Sequence, residues 1–181
     1  MTKQEFSEFY DKNIDKVFRF IYLRVDSTET AQDLTSSAFL KLWHRTSLRG
    51  VAQQQDDAAI SNPQAFLYRI ARNQIIDFYR QKSKKPISLD NAGEIADFQV
   101  AQPTFSQKIE LTLEMERIKK ILHNIKPVYA DVIIWHYVDE MPIKEIAQVL
   151  EKREGNVRVI IHRALQALKA QINTDNNTDK L

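Results

Sequence analysis

The segment from residue 139 to residue 170 constrains the fold of this chain more than any other part of it. It reads as two helices joined by a short turn, and its second helix carries one apolar face and one polar, basic face. Such a pair is typical of the helix-turn-helix motif, whose second helix lies in the major groove of DNA. DNA is therefore the first partner to consider, and an ordinary helical hairpin with a solvated charged face is the alternative.

Apolar residues at three- and four-residue steps predict the buried side of each helix in this motif. On the first helix they are Ile143, Ile146, Ala147 and Leu150. On the second helix they are Val157, Ile161, Ala164, Leu165 and Leu168. The opposite face of the second helix presents Asn156, Arg158, Val159, His162, Arg163 and Gln166. Its polar side chains are of the types that bind base edges and phosphates, and Lys152 and Arg153 lie in the turn, where a DNA backbone would approach.

The composition favours an all-α fold without a catalytic or metal centre. Three glycines are too few and too scattered to build a phosphate-binding loop, and the absence of cysteine excludes disulfides and thiolate ligands. The four histidines lack the spacing of metal ligands, and no nucleophile–base pair or paired-carboxylate pattern stands out. We therefore expect that the protein is not an enzyme and holds no cofactor or metal.

The hydropathy pattern predicts a cytoplasmic protein that does not insert into a membrane. No apolar run approaches the roughly 18 residues that a spanning helix needs. The first residues, MTKQEFSEFYDKN, lack the apolar core and small-residue cleavage site of a secretory signal.

The N-terminal part predicts a bundle of three helices. Apolar spacing indicates a first helix over about 3–24, and Asp26 with Glu29 resembles a capping pair that starts a second helix ending near Arg45. Asn62 followed by proline predicts the start of a third helix over about 63–83. Between them, residues 46–62 form a polar connection that is long for a compact domain, as functional loops often are.

Positive charge is concentrated on the third helix. Residues 69–85 include six basic side chains and a single acidic one, Asp77. Such a local excess is expected where one helix faces phosphates. Tyr68 and Tyr79 add aromatic faces on which unpaired bases could stack, although both could equally cover the bundle surface.

Residues 86–107 contain two prolines, one glycine and no sustained periodicity, which predicts a flexible linker. The expected architecture is two small helical domains. The predicted divisions are a domain over 1–85, the linker over 86–107, a second domain over 108–173 and a disordered tail over 174–181.

Two motifs together resemble a known family. The C-terminal helix-turn-helix is similar to region 4 of bacterial RNA polymerase sigma factors, while AQDLTSSAFLKLWHR and NPQAFLYRIARNQIIDFYRQKSKK are similar to region 2. The two regions in this order, with a linker and no other domain, resemble the extracytoplasmic-function subgroup. The resemblance implies a factor that binds core RNA polymerase, recognises a promoter and helps to melt its DNA. It also implies an anti-sigma factor as an inhibitory partner.

The resemblance assigns roles to particular residues. For the helix that binds a coiled coil of the polymerase β′ subunit they are Asp33, Phe39, Leu42 and Trp43. For the helix that meets melted, single-stranded DNA of the −10 element they are Arg69, Arg72, Asn73, Asp77, Tyr79 and Arg80. For the helix-turn-helix on the duplex −35 element they are Lys152, Arg153, Gly155, Asn156, Arg158, His162 and Arg163. Region 4 is also expected to bind the β flap, and residues 46–62 lie where the family captures an extruded base.

Some positions depart from the family pattern. Ser36 and Ser37 replace a Gln-Glu pair that is usual in region 2, and Val159 and Ile160 replace polar or basic side chains in region 4. Readout of the −35 element could therefore depend more on DNA shape, or it could be narrower. Two other functions remain open from the residues alone, namely a free-standing transcription regulator with a sensory N-terminal bundle and a helical bundle that binds proteins rather than DNA.

Overall fold

The structure, a computed structural model, describes residues 1–47, 60–83 and 105–178, with side chains described from residue 113 to residue 174 in the last range. All secondary structure in these ranges is helical, so the all-α prediction is confirmed. The helices are α1 (Lys3–Tyr22), α2 (Thr28–Ser47), α3 (Pro63–Lys82), α4 (Phe105–His123), α5 (Pro127–Ile133), α6 (Ile143–Leu150) and α7 (Glu154–Thr178). Most of the predicted linker and of the 46–62 loop lies outside the described residues.

The N-terminal helices begin where the sequence supplies a cap. Asn62 caps α3 as predicted, because its Oδ1 accepts a hydrogen bond from the backbone N–H of Ala65 at 3.0 Å. At α2 the cap is Ser27 rather than Asp26, since the Ser27 hydroxyl accepts from the backbone N–H of Thr30 at 3.1 Å. These caps fix where α2 and α3 start and therefore which side chains each helix presents to solvent.

The helices α1, α2 and α3 bury their apolar stripes against one another. The fully buried members of these stripes are Val17, Phe20, Ile21, Ala31, Ala38, Leu42, Leu67 and Ala71. Burial of apolar surface on this scale is the main stabilising contribution to a small helical bundle. The outer ends of the stripes are less covered than periodicity predicts, and the side chain of Tyr10 is exposed.

In the C-terminal half, α5 runs directly into a π-helical turn over Ile134–Val138. The backbone N–H of Asp139 donates to the carbonyl of Ile134, five residues earlier, at 2.9 Å. The spacing of apolar residues in the sequence does not reveal this wider turn. π turns of this kind are rare and occur frequently at functional sites.

The predicted helix-turn-helix is confirmed by α6 and α7. Glu151 ends α6 in the left-handed conformation, with φ of 53°, and the next backbone N–H, that of Lys152, donates to the carbonyl of Ala147 at 2.9 Å. Together they turn the chain sharply into α7. The helix α7 continues to Thr178, into the segment that the sequence predicts as a disordered tail.

The two halves share one hydrophobic core. Trp135 of the π turn is fully buried, and its ring centroid lies 5.2 Å from that of Phe20 and 6.1 Å from that of Tyr68. These two partners belong to α1 and α3, so the C-terminal half is docked against the N-terminal bundle. This docking decides which of the expected DNA-binding side chains are accessible.

Candidate nucleic-acid interface

The outer face of α7 is open to solvent along its first half. All seven residues expected at the −35 element are exposed, namely Lys152, Arg153, Gly155, Asn156, Arg158, His162 and Arg163. They follow one side of the helix because the opposite side is held in the core by Val157, Ile161 and Ala164. We call this set the α7 face. It presents hydrogen-bond donors at the N-terminal end of a helix, where helix dipoles also favour anions.

Two details shape the start of the α7 face. Arg158 donates to Glu154 one turn earlier at 3.2 Å, an exposed contact that another acceptor can replace at little cost. Gly155 has ample space around it, because a Cβ built on this residue would meet nothing within 4 Å. The described fold therefore does not require glycine at this position.

The helix α3 presents a second polar face, but only part of the expected −10 set belongs to it. Asn73, Asp77 and Arg80 are exposed, and Arg80 pairs with Asp77 at 3.0 Å. Ile76 lies among them with its side chain 43% exposed. We call these four residues the open α3 face.

The remaining arginines of the expected −10 set point toward the C-terminal half. Arg72 donates through Nε to Asp131 at 3.0 Å, and Arg24 donates to the other oxygen of the same carboxylate at 3.1 Å. Arg69 pairs with Glu151 at the end of α6. Arg72 is therefore partly withdrawn from solvent, with its side chain 26% exposed, whereas the pair of Arg69 with Glu151 is exposed and another acceptor can replace it at little cost.

Asp131 is unusual among acidic residues because its side chain is almost completely buried, with only 4% of it exposed. Burial raises the pKa of this carboxyl above its ordinary value, while the two arginines act in the opposite direction. Both carboxylate oxygens are used, one by each arginine. A buried acid held in this way has its charge compensated across the contact between the two halves.

Asp139 makes a second contact between the two halves of the protein. Its Oδ1 accepts from Arg19 Nη2 at 2.7 Å, and its Oδ2 accepts from the Tyr68 hydroxyl at 2.8 Å. Burial raises the pKa of Asp139, opposed by the hydrogen bonds from Arg19 and Tyr68. Burial and this neighbouring carboxylate also raise the pKa of the Tyr68 hydroxyl, which therefore stays protonated and donates.

The two tyrosines that could stack on bases both contact other parts of the protein. Tyr68 is fully buried, so in this arrangement it is a packing residue and offers no face to a base. Tyr79 is partly buried, and its hydroxyl donates to the carbonyl of Arg24 at 2.9 Å. Burial and the nearby Asp26 raise the pKa of Tyr79 above its ordinary value. Sequence periodicity could not identify these partners, because they belong to other helices.

The helix α2 carries the four residues expected to bind polymerase, and two of them are accessible to solvent while two are buried. Asp33 is exposed and Trp43 is partly exposed, whereas Phe39 and Leu42 are buried in the bundle. Sequence reasoning missed Leu40, which is 56% exposed on the same helix. A large apolar residue that falls out of step with the buried stripe was the available signal. Contact of α2 with polymerase stays a prediction.

Two negative findings apply to the part of the chain that the structure describes. No group of three or more His, Cys, Asp or Glu side chains is arranged to hold a metal ion there. Within the same residues, no helix has both the length and the apolar character to cross a bilayer.

Comparison with known proteins agrees with this division into two regions. The family model described as Sigma-70 region 2 matches residues 9–85, and the one described as Sigma-70, region 4 matches residues 115–168. The ECF RNA polymerase sigma factor BldN of Streptomyces coelicolor is 27% identical over 163 residues, covering 90% of this chain but 58% of BldN. SigW of Bacillus subtilis is 26% identical over 176 residues, covering 92% of this chain and 88% of SigW.

Solved structures with a similar fold include sigma factors. CnrH in complex with the cytosolic domain of CnrY gives a TM-score of 0.66 at 18% identity, covering 96% of this chain and 91% of that one. The sigma factor RpoE in complex with the anti-sigma factor NepR from Bartonella quintana gives 0.66 at 16% identity, covering 95% and 99%. Two family models in the expected order, together with these relatives, mean that this chain belongs to the sigma-70 family, within its extracytoplasmic-function subgroup.

Proposed function

We propose that this chain is a promoter-specificity subunit that binds core RNA polymerase, recognises two promoter elements and helps to melt the promoter DNA for transcription initiation. The observation that supports this most directly is the solvent-exposed α7 face on a helix-turn-helix, in a chain that also carries a region 2 bundle. The role requires no reaction catalysed by the chain itself.

The α7 face would bind the −35 element as duplex DNA. Arg158, Asn156 and Arg163 are side-chain types that bond base edges, and Lys152 with Arg153 would hold the backbone at the helix N-terminus. His162 lies one turn beyond Arg158 and would contact a phosphate or base edge on the same side of the helix.

The helix α3 would bind melted −10 DNA. The open α3 face offers Asn73 and Arg80 directly. Arg69, Arg72 and Tyr79 complete the expected set when they are released from their present partners. Single strands are held by cationic grooves and stacking side chains, which is the composition of this helix.

The helix α2 would bind the coiled coil of the β′ subunit. Asp33, Leu40 and Trp43 supply its accessible part, while Phe39 and Leu42 hold the helix in place from below. The C-terminal half would additionally bind the β flap. Exposed apolar side chains with a charged neighbour suit a protein interface.

We further propose that the chain works in the cytoplasm and is held inactive there by an anti-sigma factor. Residues 1–85 and 108–173 would act as separate binding units connected by 86–107, although α7 itself continues past residue 173 to Thr178. RpoE, a sigma factor with a fold similar to that of this chain, has been solved in complex with the anti-sigma factor NepR, which supports the proposal of an inhibitor.

Reconstituted run-off transcription tests the proposed function. Core polymerase from the same cells, with and without the purified chain, is supplied with a randomised promoter library, and initiating templates are sequenced. We expect a defined start site and two conserved elements that appear only when the chain is present. If no template initiates, or if the chain alone binds the selected duplex tightly and core polymerase adds nothing, the proposed function is wrong.

A matched pair of variants tests the assignment of the α7 face. Arg158→Ala combined with Arg163→Ala should reduce initiation by on the order of tenfold for each side chain, since one base contact contributes about 1–3 kcal/mol. Lys169→Ala, an exposed basic residue later on the same helix, should leave initiation nearly unchanged. Equal losses in both variants would mean that the α7 face has no special role in binding the −35 element.

A further inference from the structure

Glu154 is a single acidic side chain in an otherwise basic stretch of sequence. It is the first residue of α7, and residues 152–174 contain no other aspartate or glutamate. Its side chain is 45% exposed, and its Oε2 accepts a hydrogen bond from Arg158 Nη2 at 3.2 Å. A carboxylate beside DNA phosphates is repelled unless a nearby cation or hydrogen-bond donor compensates its charge. An acid at the start of a DNA-binding helix therefore requires a physical explanation.

The positions of the polar residues around α7 divide its outer surface into two sides. At about 3.6 residues per turn, Arg158 lies roughly 40° from Glu154 around the helix axis, and His162 lies roughly 80° from it. Asn156 and Arg163 lie roughly 200° and 180° from Glu154, on the other side of the same surface. Glu154 and Arg158 therefore meet the DNA as a pair, apart from the other two donors.

An acid in the first turn of a helix also has an ordinary structural explanation. The helix dipole favours a carboxylate at that end, and a pair of opposite charges four residues apart stabilises an exposed helix slightly. Such an acid contributes to folding stability but does not influence which DNA sequence is bound. The two explanations for Glu154 therefore differ in a property that can be measured.

The chemistry of base edges gives the Glu154–Arg158 pair a second role. In the major groove guanine presents two acceptors that arginine binds together, whereas cytosine presents an amino group whose hydrogen glutamate accepts. Arg158 has five N–H donors and gives one of them to Glu154, so its guanidinium keeps donors for guanine while the carboxylate restricts its direction. Side chains at the N-terminal end of the second helix of a helix-turn-helix contact base edges, and both residues lie there.

We propose that Glu154 determines sequence specificity at the −35 element, by holding Arg158 against a guanine and by accepting a hydrogen bond from a cytosine N4 within one base-pair step. This inference rests on the proposed function. The −35 element should then contain a guanine and a cytosine that the two side chains recognise together. Where the groove offers only acceptors, the carboxylate is repelled, so Glu154 also selects against other sequences.

Initiation from a promoter library, by core polymerase supplied with the chain, tests the role of Glu154. Each base pair of the −35 element is varied in turn, the templates compete in one reaction, and the transcripts are counted by sequencing. Glu154→Ala should reduce the preference for the favoured base by about tenfold at one or two neighbouring base pairs, as expected for loss of one base contact. Preferences at the remaining positions should stay unchanged.

Glu154→Gln gives a sharper test, because it should change the preferred base rather than only weaken the preference. A glutamine amide binds adenine through N6 and N7, whereas a carboxylate accepts from cytosine N4. The variant should therefore shift the preference at that one position from cytosine toward adenine. An acid that served only to stabilise the helix would act equally on every promoter, so an unchanged base preference would overturn the proposal.

Two controls isolate the contribution of the pair. Glu140→Gln removes an exposed acid that lies outside α7, and it should leave every base preference unchanged. In an Arg158→Ala background, Glu154→Ala should affect the guanine preference much less than it does in the parent, because the two side chains act as a unit. Fully additive effects of these two substitutions would overturn the proposal, and so would an equal loss of preference in Glu140→Gln.

Selection of randomised DNA duplexes by the purified chain at low salt separates failure of this inference from failure of the proposed function. If the parent initiates from defined elements and Glu154→Gln leaves the −35 preference unchanged, the inference alone fails. If the parent never initiates, but its selected duplexes contain a cytosine that becomes adenine with Glu154→Gln, the proposed function fails and the inference stands. If the parent neither initiates nor selects a sequence, both fail.

Discussion

Replacement of Trp135 by phenylalanine should change the stability of the protein little, because the indole N–H of Trp135 is buried without an acceptor in the described part of the chain. The residue is fully buried between Phe20 and Tyr68. Its Nε1 hydrogen has no acceptor among the described residues. A buried donor without a partner costs about 1–3 kcal/mol of lost solvation. Trp135→Phe removes this cost while keeping a ring in the site.

The expected magnitudes follow from what each substitution removes. Trp135→Ala empties most of the site and should lower the free energy of unfolding by about 3–5 kcal/mol. Trp135→Phe loses roughly two carbon-sized groups of buried surface, or about 1.6 kcal/mol. Relief of the unbonded N–H offsets a similar amount, so this variant should stay within about 1 kcal/mol of the parent.

Urea unfolding followed by far-UV circular dichroism measures both variants against the parent at one pH and protein concentration. A common slope of free energy against urea concentration would show that the same surface is exposed in each case. If Trp135→Phe proves as destabilising as Trp135→Ala, the indole N–H is satisfied in solution and the reasoning from its missing acceptor is wrong.

Three further predictions concern single positions. Gly155→Ala should stabilise α7 by up to about 1 kcal/mol, because a Cβ at this position meets no other atom within 4 Å. If the DNA backbone comes close to Gly155, the same variant should bind the −35 duplex more weakly, as measured by fluorescence anisotropy. Unchanged binding would show that the DNA backbone does not come close to this residue. Val159, which is 48% exposed beside the α7 face, should contact a thymine methyl, so uracil in place of one −35 thymine should weaken binding by the parent but not by Val159→Ala. Burial acts to raise the pKa of Asp26, but hydrogen bonding and the charge of Lys82, 2.5 Å away, outweigh it and hold that pKa below its ordinary value. The stability that Lys82 contributes, roughly 1 kcal/mol or less, should therefore be complete above about pH 4 and disappear as pH falls further; equal urea midpoints for the parent and Lys82→Met at neutral pH would contradict this.

The sequence predicted the helices and their exposed faces well where local rules decide them. Periodicity identified the buried sides of α6 and α7, which left the α7 face correctly placed in solvent. Asn62 followed by proline located the start of α3 because a cap depends only on neighbouring residues. The family assignment likewise rested on contiguous motifs, and it is confirmed.

The junction between the halves could not be predicted in the same way. Spacing shows which side of a helix is buried but not which distant element buries it. Arg72 therefore looked like one of several cations for DNA, whereas its partner Asp131 lies far along the chain. Tyr68 looked like a surface ring for the same reason, and the structure places it in the shared core. An isolated acid such as Asp131 on an apolar helix was the one local hint.

The π turn has a consequence for how insertions and deletions would act on this chain. In a regular α-helix residues four apart drift around the axis by about 40°, so Asp131, Trp135 and Asp139 would diverge by roughly 80° over two such steps. The wider turn over Ile134–Val138 winds less per residue and reduces that divergence, which aligns all three toward α1 and α3. Loss of a single residue here would restore ordinary winding and swing Asp139 away from Arg19, while Asp131 stayed in position. The length of this short stretch, more than its composition, therefore keeps the two halves in register.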